Sequence, residues 1–575
     1  MMTTTTPFQL LPRILSSILL FLLACSTARS TPGQPNVVVM LIDNHGFFEL
    51  SCHGHPVLQT PRIDQFAAEG VSFSNFHAPP FCSPSRGALL TGRYALRAGI
   101  HNTVGGVSIL HRDEKTLADF LKEAGYATGV FGKWHLGMNY PYAPKFRGFD
   151  EVFIHGGGGV SQLEDYYGNN HMDATYEHNG TYVKSDGFST DVLFDQAIRF
   201  IKDQKGKPFF CYIATPAVHF PLLTHPENAK RLLARGVERS KEFPLYSMIE
   251  NVDDNVGKLM DFLKAVGLRE NTLVILASDQ GVNDRGALVH RSGKWQNRGV
   301  QYDEKHQVYC MIQFPELTEG NAGPVDNLAG MVDLMPTVLD VCGIAQPDNL
   351  DGRSLTPLLS GSDRWDNERI LIVQCPRKRQ RHHWENVSIK SQQWRLVDGD
   401  KLYDVKEDRG QTVNLIERYP QIAKRLAAAY ESFWKSLPPA EALISPHVLG
   451  SAKAPDVRLN GMDWYVGDAP WTQQILDRKT QNGKWRVEVA RDGRFRFELR
   501  RYPREAEKPI EAFSAAIEIG PVKSERAVDP QAKQAVFELD LKRGTYDLSA
   551  TFSHREGSGP QQVWGAYYAY VSYLD

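Results

Sequence analysis

Apolar and polar positions run through this chain in distinct rhythms, and each rhythm predicts a different architecture. Asn36–Ile42 is an almost unbroken apolar, β-branched run, the pattern of a strand buried on both faces of a parallel sheet. Residues 127–131, 208–214 and 272–277 read the same way. Helical patterns lie between them. Thr60-Pro61 supplies an N-cap and a first-turn proline, and Gly70 a stop. Residues 115–124 place Leu117, Phe120 and Leu121 on one face, with Gly125 behind them. Strands alternating with helices predict an α/β fold whose mostly parallel sheet is sandwiched by helices.

The rhythm changes near residue 346. Short strand patterns at 370–374 and 394–398 precede one long helical pattern at 419–437, which predicts a small α+β subdomain. Residues 438–455 are rich in proline and small side chains and read as a linker. Beyond it, residues 485–489, 495–499 and 535–541 alternate apolar with polar, separated by Asp492-Gly493 and Arg543-Gly544. That is the pattern of an antiparallel β-sandwich. The expected organisation is a processed segment at 1–30, an α/β domain at 31–345, an α+β subdomain at 346–440, and a linker with an all-β sandwich domain at 441–575.

Composition narrows the picture. With 575 residues, 42% hydrophobic and 23% charged, the chain is neither wholly disordered nor a polytopic membrane protein. A net charge of -2 gives no argument for nucleic-acid binding. Seven cysteines, sparse and unevenly spaced, are not a disulfide scaffold, although one or two bridges stay open. At the N-terminus, Arg13 precedes the apolar run 14–24, which fits the core of an export signal. Two processing routes compete. Leu22-Leu23-Ala24-Cys25 resembles a lipobox that would put a lipid on Cys25, the one membrane attachment the sequence offers. Small residues near Ala28 and Ser30 suit ordinary cleavage. Either route predicts an exported protein: periplasmic, secreted or an outer-membrane lipoprotein.

In open parallel sheets, sites form beyond the C-terminal ends of strands. Asp43, then Lys133 and His135, then His219, then Asp279 all follow strand patterns. Cys82-Ser83-Pro84-Ser85-Arg86 followed by Leu90-Thr91-Gly92-Arg93 resembles the signature of the sulfatases. Gly132–Gly137, His219 before Phe220-Pro221, Ser278-Asp279-Gln280-Gly281 and Leu402-Tyr403-Asp404 match that family in order. The resemblance spans about residues 35–437 and implies an alkaline-phosphatase-like fold. It also implies that Cys82 is oxidised to formylglycine by a formylglycine-generating enzyme. A hydrated aldehyde carries two hydroxyls on one carbon. One attacks sulfur, and deprotonation of the other expels sulfate, which a serine could not do.

The same resemblance assigns the remaining roles. Asp43, Asn44, Asp279 and Gln280, with the modified Cys82, would hold Ca²⁺, or Mg²⁺ as the alternative. The family usually has Asp where this chain has Asn44, and Asn where it has Gln280. One formal negative charge is therefore missing, and weaker metal binding is expected. Lys133 would bind a sulfate oxygen. His135, facing the same way if the chain stays extended, would take a formylglycine proton. His219 would protonate the leaving alcohol. Arg86 would brace the formylglycine and a metal carboxylate. Lys294 resembles a second sulfate-binding lysine.

Weaker features leave alternatives open. Gly156–Gly159 reads as a flexible spacer. The basic run 377–383 reads as a solvated loop or as a reader of polyanionic glycan. Trp464, Trp471, Trp485 and Trp564 read as core, with a glycan platform as the other possibility. The expected function is an exported sulfatase acting on a sulfated carbohydrate, with small sulfate esters as artificial substrates. Two rivals are a phosphonate or phosphate monoester hydrolase and a non-catalytic binder of sulfated glycans.

Overall fold

The computed structural model describes residue 1 and residues 33–204, 206–281, 299–554 and 561–575. The export-signal segment, Cys25 and Lys294 lie outside the described residues. Among those described, no helix is long and apolar enough to cross a membrane.

The main sheet contains strands β1 (Asn36–Ile42), β2 (Val71–His77), β3 (Ala127–Lys133), β4 (Glu151–His155), β5 (Thr175–His178), β6 (Thr181–Lys184), β7 (Phe209–Thr215), β8 (Thr272–Ser278), β9 (Gln307–Gln313), β10 (Gly323–Val325) and β11 (Ala329–Gly330). Their order is β10-β2-β9-β8-β1-β7-β3-β4-β5-β6, with β11 also on β2. The centre, β8-β1-β7-β3-β4, is parallel. The flanks turn antiparallel, at β8–β9–β2 on one side and β4–β5–β6 on the other. The sheet is thus mixed: its parallel centre carries the site, and β10 and β11 also pair parallel with β2 at one edge.

The unbroken apolar run of β1 has a direct cause. Val37, Val39 and Leu41 enter one core, with Leu89, Leu121 and Val338 from the helices Cys82–Thr91, Leu117–Glu123 and Leu334–Val341. Val38, Met40 and Ile42 enter the other, with Ile63, Leu193 and Val256 from Pro61–Glu69, Ser189–Asp203 and Phe243–Ala265. Both faces are covered, so no polar position is tolerated. The helix Leu117–Glu123 starts two residues later than its periodicity suggests. Thr116 and Asp119 form a reciprocal capping box there.

A second, four-stranded antiparallel sheet spans Leu371–Gln374, Val387–Lys390, Trp394–Val397 and Lys401–Asp404. Leu426, Tyr430 and Phe433 of the helix Pro420–Lys435 pack on it. The C-terminal part is two facing sheets, one built around Gly483–Val489, Gly544–His554 and Ser514–Ile519, the other around Tyr568–Tyr573, Gly493–Arg500 and Ala535–Leu541. Their alternating inward residues share one core with Leu163 from the first part of the chain. The stretch 438–455 is not a free linker. His447–Leu449 within it is buried and pairs parallel with Gly483–Val489. Proline and small residues here mark a tight entry into the sheet. The six described cysteines, Cys52 among them, are free thiols, so neither bridge left open by the sequence forms among them.

Candidate active site

Parallel neighbours end on the same edge, so β8, β1, β7 and β3 deliver their C-terminal residues to one place. Asp43 follows β1 and Asp279 follows β8, and both are fully buried. Their backbones are locked. Asp43 N donates to Ala217 O at 2.9 Å and Asp279 N to Ile42 O at 3.0 Å. Lys133, the last residue of β3, donates from Nζ to Asp43 Oδ2 at 2.6 Å. Arg86 donates from Nη2 to Asp279 Oδ2 at 2.8 Å and from Nη1 to Lys133 O at 2.8 Å. Both cations are fully enclosed. Lys133 therefore balances Asp43 on the floor of the site rather than reaching into open space.

The helix Cys82–Thr91 is buried along its whole length, with Phe81 as its N-cap. Cys82 and Arg86, one turn apart, lie on the same face. The helix N-terminus, with its positive dipole end, favours an anion beside Cys82. Cys82 Sγ lies 3.3 Å from His135 Nδ1, and His135 Nε2 lies 2.9 Å from Thr103 O. A carbonyl only accepts, so the hydrogen sits on Nε2 and Nδ1 presents a lone pair to Cys82. Burial and then the charge of Lys133 hold the His135 pKa well below its ordinary value. Burial also pushes the Cys82 thiol up. A neutral thiol beside a neutral imidazole is a poor nucleophile.

His135 is not extended. Its φ is +60°, a left-handed conformation that non-glycine residues hold under constraint. The premise that two-residue spacing makes Lys133 and His135 face the same way therefore fails. Lys133 ends the strand, and the chain turns before His135. His219, half-buried in the cavity wall, has Nδ1 2.7 Å from Phe220 O. Its other nitrogen is left for proton exchange. Burial, then Lys133, lowers its pKa to about 4.

Two oxygens at the strand ends have no hydrogen-bond partner among the described residues: Asp43 Oδ1 and Asn44 Oδ1, both buried. Asn44 sits at φ +59°, a region that asparagine tolerates. Its N donates to Asp279 Oδ1 at 3.1 Å. Burial, then the neighbouring Asp43, pushes the Asp279 carboxyl up to about 6. Orphaned hard oxygens next to a carboxylate that resists ionisation fit a divalent cation. Gln280 lines the same cavity, half-buried, through a segment whose backbone accepts from Ser278 Oγ at 2.9 Å.

The glycine run is not a flexible spacer. Its four residues are buried. A Cβ on Gly158 would come within 2.2 Å of the His135 ring, and one on Gly159 within 2.7 Å of His219. Gly158 N also donates to Gln162 Oε1 at 2.8 Å. A side chain at Gly158 or Gly159 would displace a histidine. Thr103 and Gln162 are supports that local patterns did not single out, and the glycines, which the sequence offered only as a spacer, are a further one.

A cavity of about 550 Å³ opens over this cluster, lined by Cys82, His135, His219, Asn44, Gln280 and Lys305 among others. A separate convergence of His77, Asp303 and His306 brings ligand atoms within 4.8 Å of one another. Asp303 already holds Lys390 at 3.0 Å together with Arg395, and Gln411 donates to it at 3.0 Å. Two cations on that carboxylate make it a buried ion-pair knot between the start of β9 and the second sheet.

A family model described as Sulfatase matches residues 35–344, and one described as N-sulphoglucosamine sulphohydrolase, C-terminal, matches residues 292–434. The chain is 31% identical over 364 residues to the N-acetylgalactosamine-6-sulfatase of Homo sapiens, an alignment covering 58% of this chain and 67% of that protein. It is 25% identical over 536 residues to the N-acetylglucosamine-6-O-sulfatase of Bacteroides thetaiotaomicron, covering 73% and 91%. The crystal structure of Ps i-CgsB in complex with k-i-k-neocarrahexaose superposes with a TM-score of 0.62 at 26% identity, covering 70% of this chain and 93% of that one.

Proposed function

The chain belongs to the sulfatase family and is a sulfuric ester hydrolase, and from that premise we propose that it is exported and removes sulfate from a sulfated carbohydrate. In this reading Cys82 is matured to formylglycine by a formylglycine-generating enzyme. One divalent cation, Ca²⁺ with Mg²⁺ as the alternative, is held by Asp43, Asn44, Asp279, Gln280 and the modified Cys82. One observation carries the reading: Cys82 meets a lone-pair nitrogen of His135 where the end of β1 leaves the buried oxygens Asp43 Oδ1 and Asn44 Oδ1 without partners among the described residues.

Formylglycine would supply a geminal diol, and the cation would acidify a hydroxyl and polarise a sulfate oxygen. The chain's own residues do the rest. His135 Nδ1 is the acceptor beside position 82 and takes the proton when sulfate is expelled. Thr103 O fixes the tautomer by occupying Nε2–H. Lys133 and Arg86 neutralise Asp43 and Asp279, so two buried carboxylates stand side by side. His219 donates a proton to the leaving alcohol. Lys294 is kept as a sulfate-binding candidate on sequence grounds alone.

The carbohydrate assignment rests on the relatives, whose names specify sulfated amino sugars. Export, whether to the periplasm, the medium or the outer membrane through a lipid on Cys25, rests on the N-terminal apolar run. Mass spectrometry of the Cys82 peptide from protein made in its native host, with a hydrazide trap for aldehyde, tests the nucleophile. An aldehyde is expected. An unmodified thiol, in a host that matures other sulfatases, would favour the non-catalytic binder. Faster turnover of phosphonate than of sulfate esters would favour the phosphonate hydrolase.

The missing acidic ligand gives a further expectation. Asn44→Asp should tighten Ca²⁺ binding on the order of tenfold, since affinity at such sites follows ligand charge. Calorimetric titration after chelation reads this directly. Unchanged affinity would remove Asn44 from the ligand set.

A further inference from the structure

One wall of the catalytic cavity comes from neither the main sheet nor its helices. Trp471 and Thr472 line it, from the segment between Val466–Gly467 and the turn Gln473–Asp477 of the C-terminal sandwich, together with Gln474 of that turn. The segment is pinned to the loop behind the glycine run. Thr472 and Gln162 form an antiparallel bridge. Leu163 N donates to Trp471 O at 3.1 Å, and Gln473 N to Ser161 O at 3.2 Å. The buried Gln473 amide also donates to Gln162 O at 3.0 Å. This places Trp471 on a rigid support beside the two histidines.

The tryptophans divide sharply. Trp464, Trp485 and Trp564 are fully sealed in the sandwich core, whereas Trp471 is 48% exposed. Trp471 lines the catalytic cavity. It also lines a groove of about 450 Å³ that the sandwich alone supplies, with Pro470, Gln474 and Arg478 in its wall. An indole shared by two concavities offers a flat apolar face with a polar N–H at its edge.

Arg377 completes the arrangement. Its guanidinium carbon sits 4.8 Å from the Phe81 ring centroid and 5.6 Å from that of Trp471. Phe81 immediately precedes Cys82. Other members of the basic run are engaged: Lys378 with Glu385, Arg381 with Pro438 O, and His383 with Glu431. Arg377 has no carboxylate partner among the described residues. Exposed and stacked on two rings, it keeps its planar fork of donors for an anion.

We propose that Trp471 and Arg377 form a binding subsite for the sugar next to the one that loses sulfate. The pyranose face stacks on the indole, Arg377 holds an anionic substituent, and the outer groove receives the continuing chain. This rests on the sulfatase reading and deepens it: the substrate is a polyanionic oligosaccharide longer than one residue, and the C-terminal sandwich is part of the active site.

Calorimetry of the full-length protein with sulfated tetrasaccharides of chondroitin, heparin and carrageenan, each against its sulfated monosaccharide, tests the subsite. At least one tetrasaccharide should bind about tenfold or more tightly than its monosaccharide, the scale of one stacked contact. Trp471→Ala should remove that gain, and Trp471→Tyr should keep most of it. Arg377→Ala should weaken the tetrasaccharide more than the monosaccharide. No gain in the wild type, or a gain that survives Trp471→Ala, would overturn the proposal. Sulfate release from 4-nitrophenyl sulfate, measured separately, judges the parent reading.

Discussion

Cys82→Ser should stop the protein after a single sulfate transfer. The side chain sits in the first turn of a buried helix, 5% exposed, with His135 Nδ1 as the acceptor at its tip. A serine fits that space and can still lose its proton to His135, so attack on sulfur remains possible. It has only one oxygen. Once that oxygen carries sulfate, no second hydroxyl on the same carbon is left to expel it. Turnover should fall on the order of 10⁴-fold or more, the scale of losing a covalent nucleophile. Intact mass spectrometry should show one sulfate added to the introduced serine. Cys82→Ala should be equally inactive and carry no adduct. Sustained, near-normal turnover by the serine variant would mean that the expelling hydroxyl is not at position 82, and the mechanism would be wrong.

What the sequence made legible follows from which interactions are local. β1 could be read because a strand feeding two cores has no position free to be polar. β9, Gln307–Gln313, carries a similar run, but a strand buried on both faces looks the same parallel or antiparallel. The mixed flanks therefore could not be read from the pattern. Asp43 and Asp279 were legible because each directly follows a recognisable strand. The geometry of His135 was not, because alternation holds only inside a strand and the left-handed turn begins after Lys133 ends it. Gly158 and Gly159 carry no local mark of their role. Only the rings of His135 and His219, packed against their backbone, explain why no side chain fits. Trp471 was least legible of all. The bonds that bring it to the cavity join it to residues some 300 positions earlier, a separation that no periodicity reaches. The four tryptophans look alike in sequence and differ only in which neighbour covers them.

His219→Ala should separate substrates by the quality of their leaving group. The Nδ1–H of His219 is committed to Phe220 O at 2.7 Å, so the ring can donate to a leaving oxygen only from Nε2, and only as imidazolium. A sugar alkoxide needs that proton, whereas 4-nitrophenolate leaves without it. The variant should lose roughly 10²–10⁴-fold in kcat/KM on a sulfated sugar, the usual contribution of a positioned general acid. On 4-nitrophenyl sulfate it should lose less than about tenfold. The pH dependence fixes the sign. Burial and Lys133 lower the pKa of His219 to about 4. The acid form is therefore present below that value and disappears as pH rises through it, so kcat/KM on the sugar should decline with rising pH. His135 is likewise held well below its ordinary value by burial and then by Lys133, which favours its neutral, proton-accepting form. The declining limb should be absent on the aryl substrate and absent in His219→Ala on either. Equal losses on both substrates would show that His219 positions sulfate or the cavity wall instead of moving a proton.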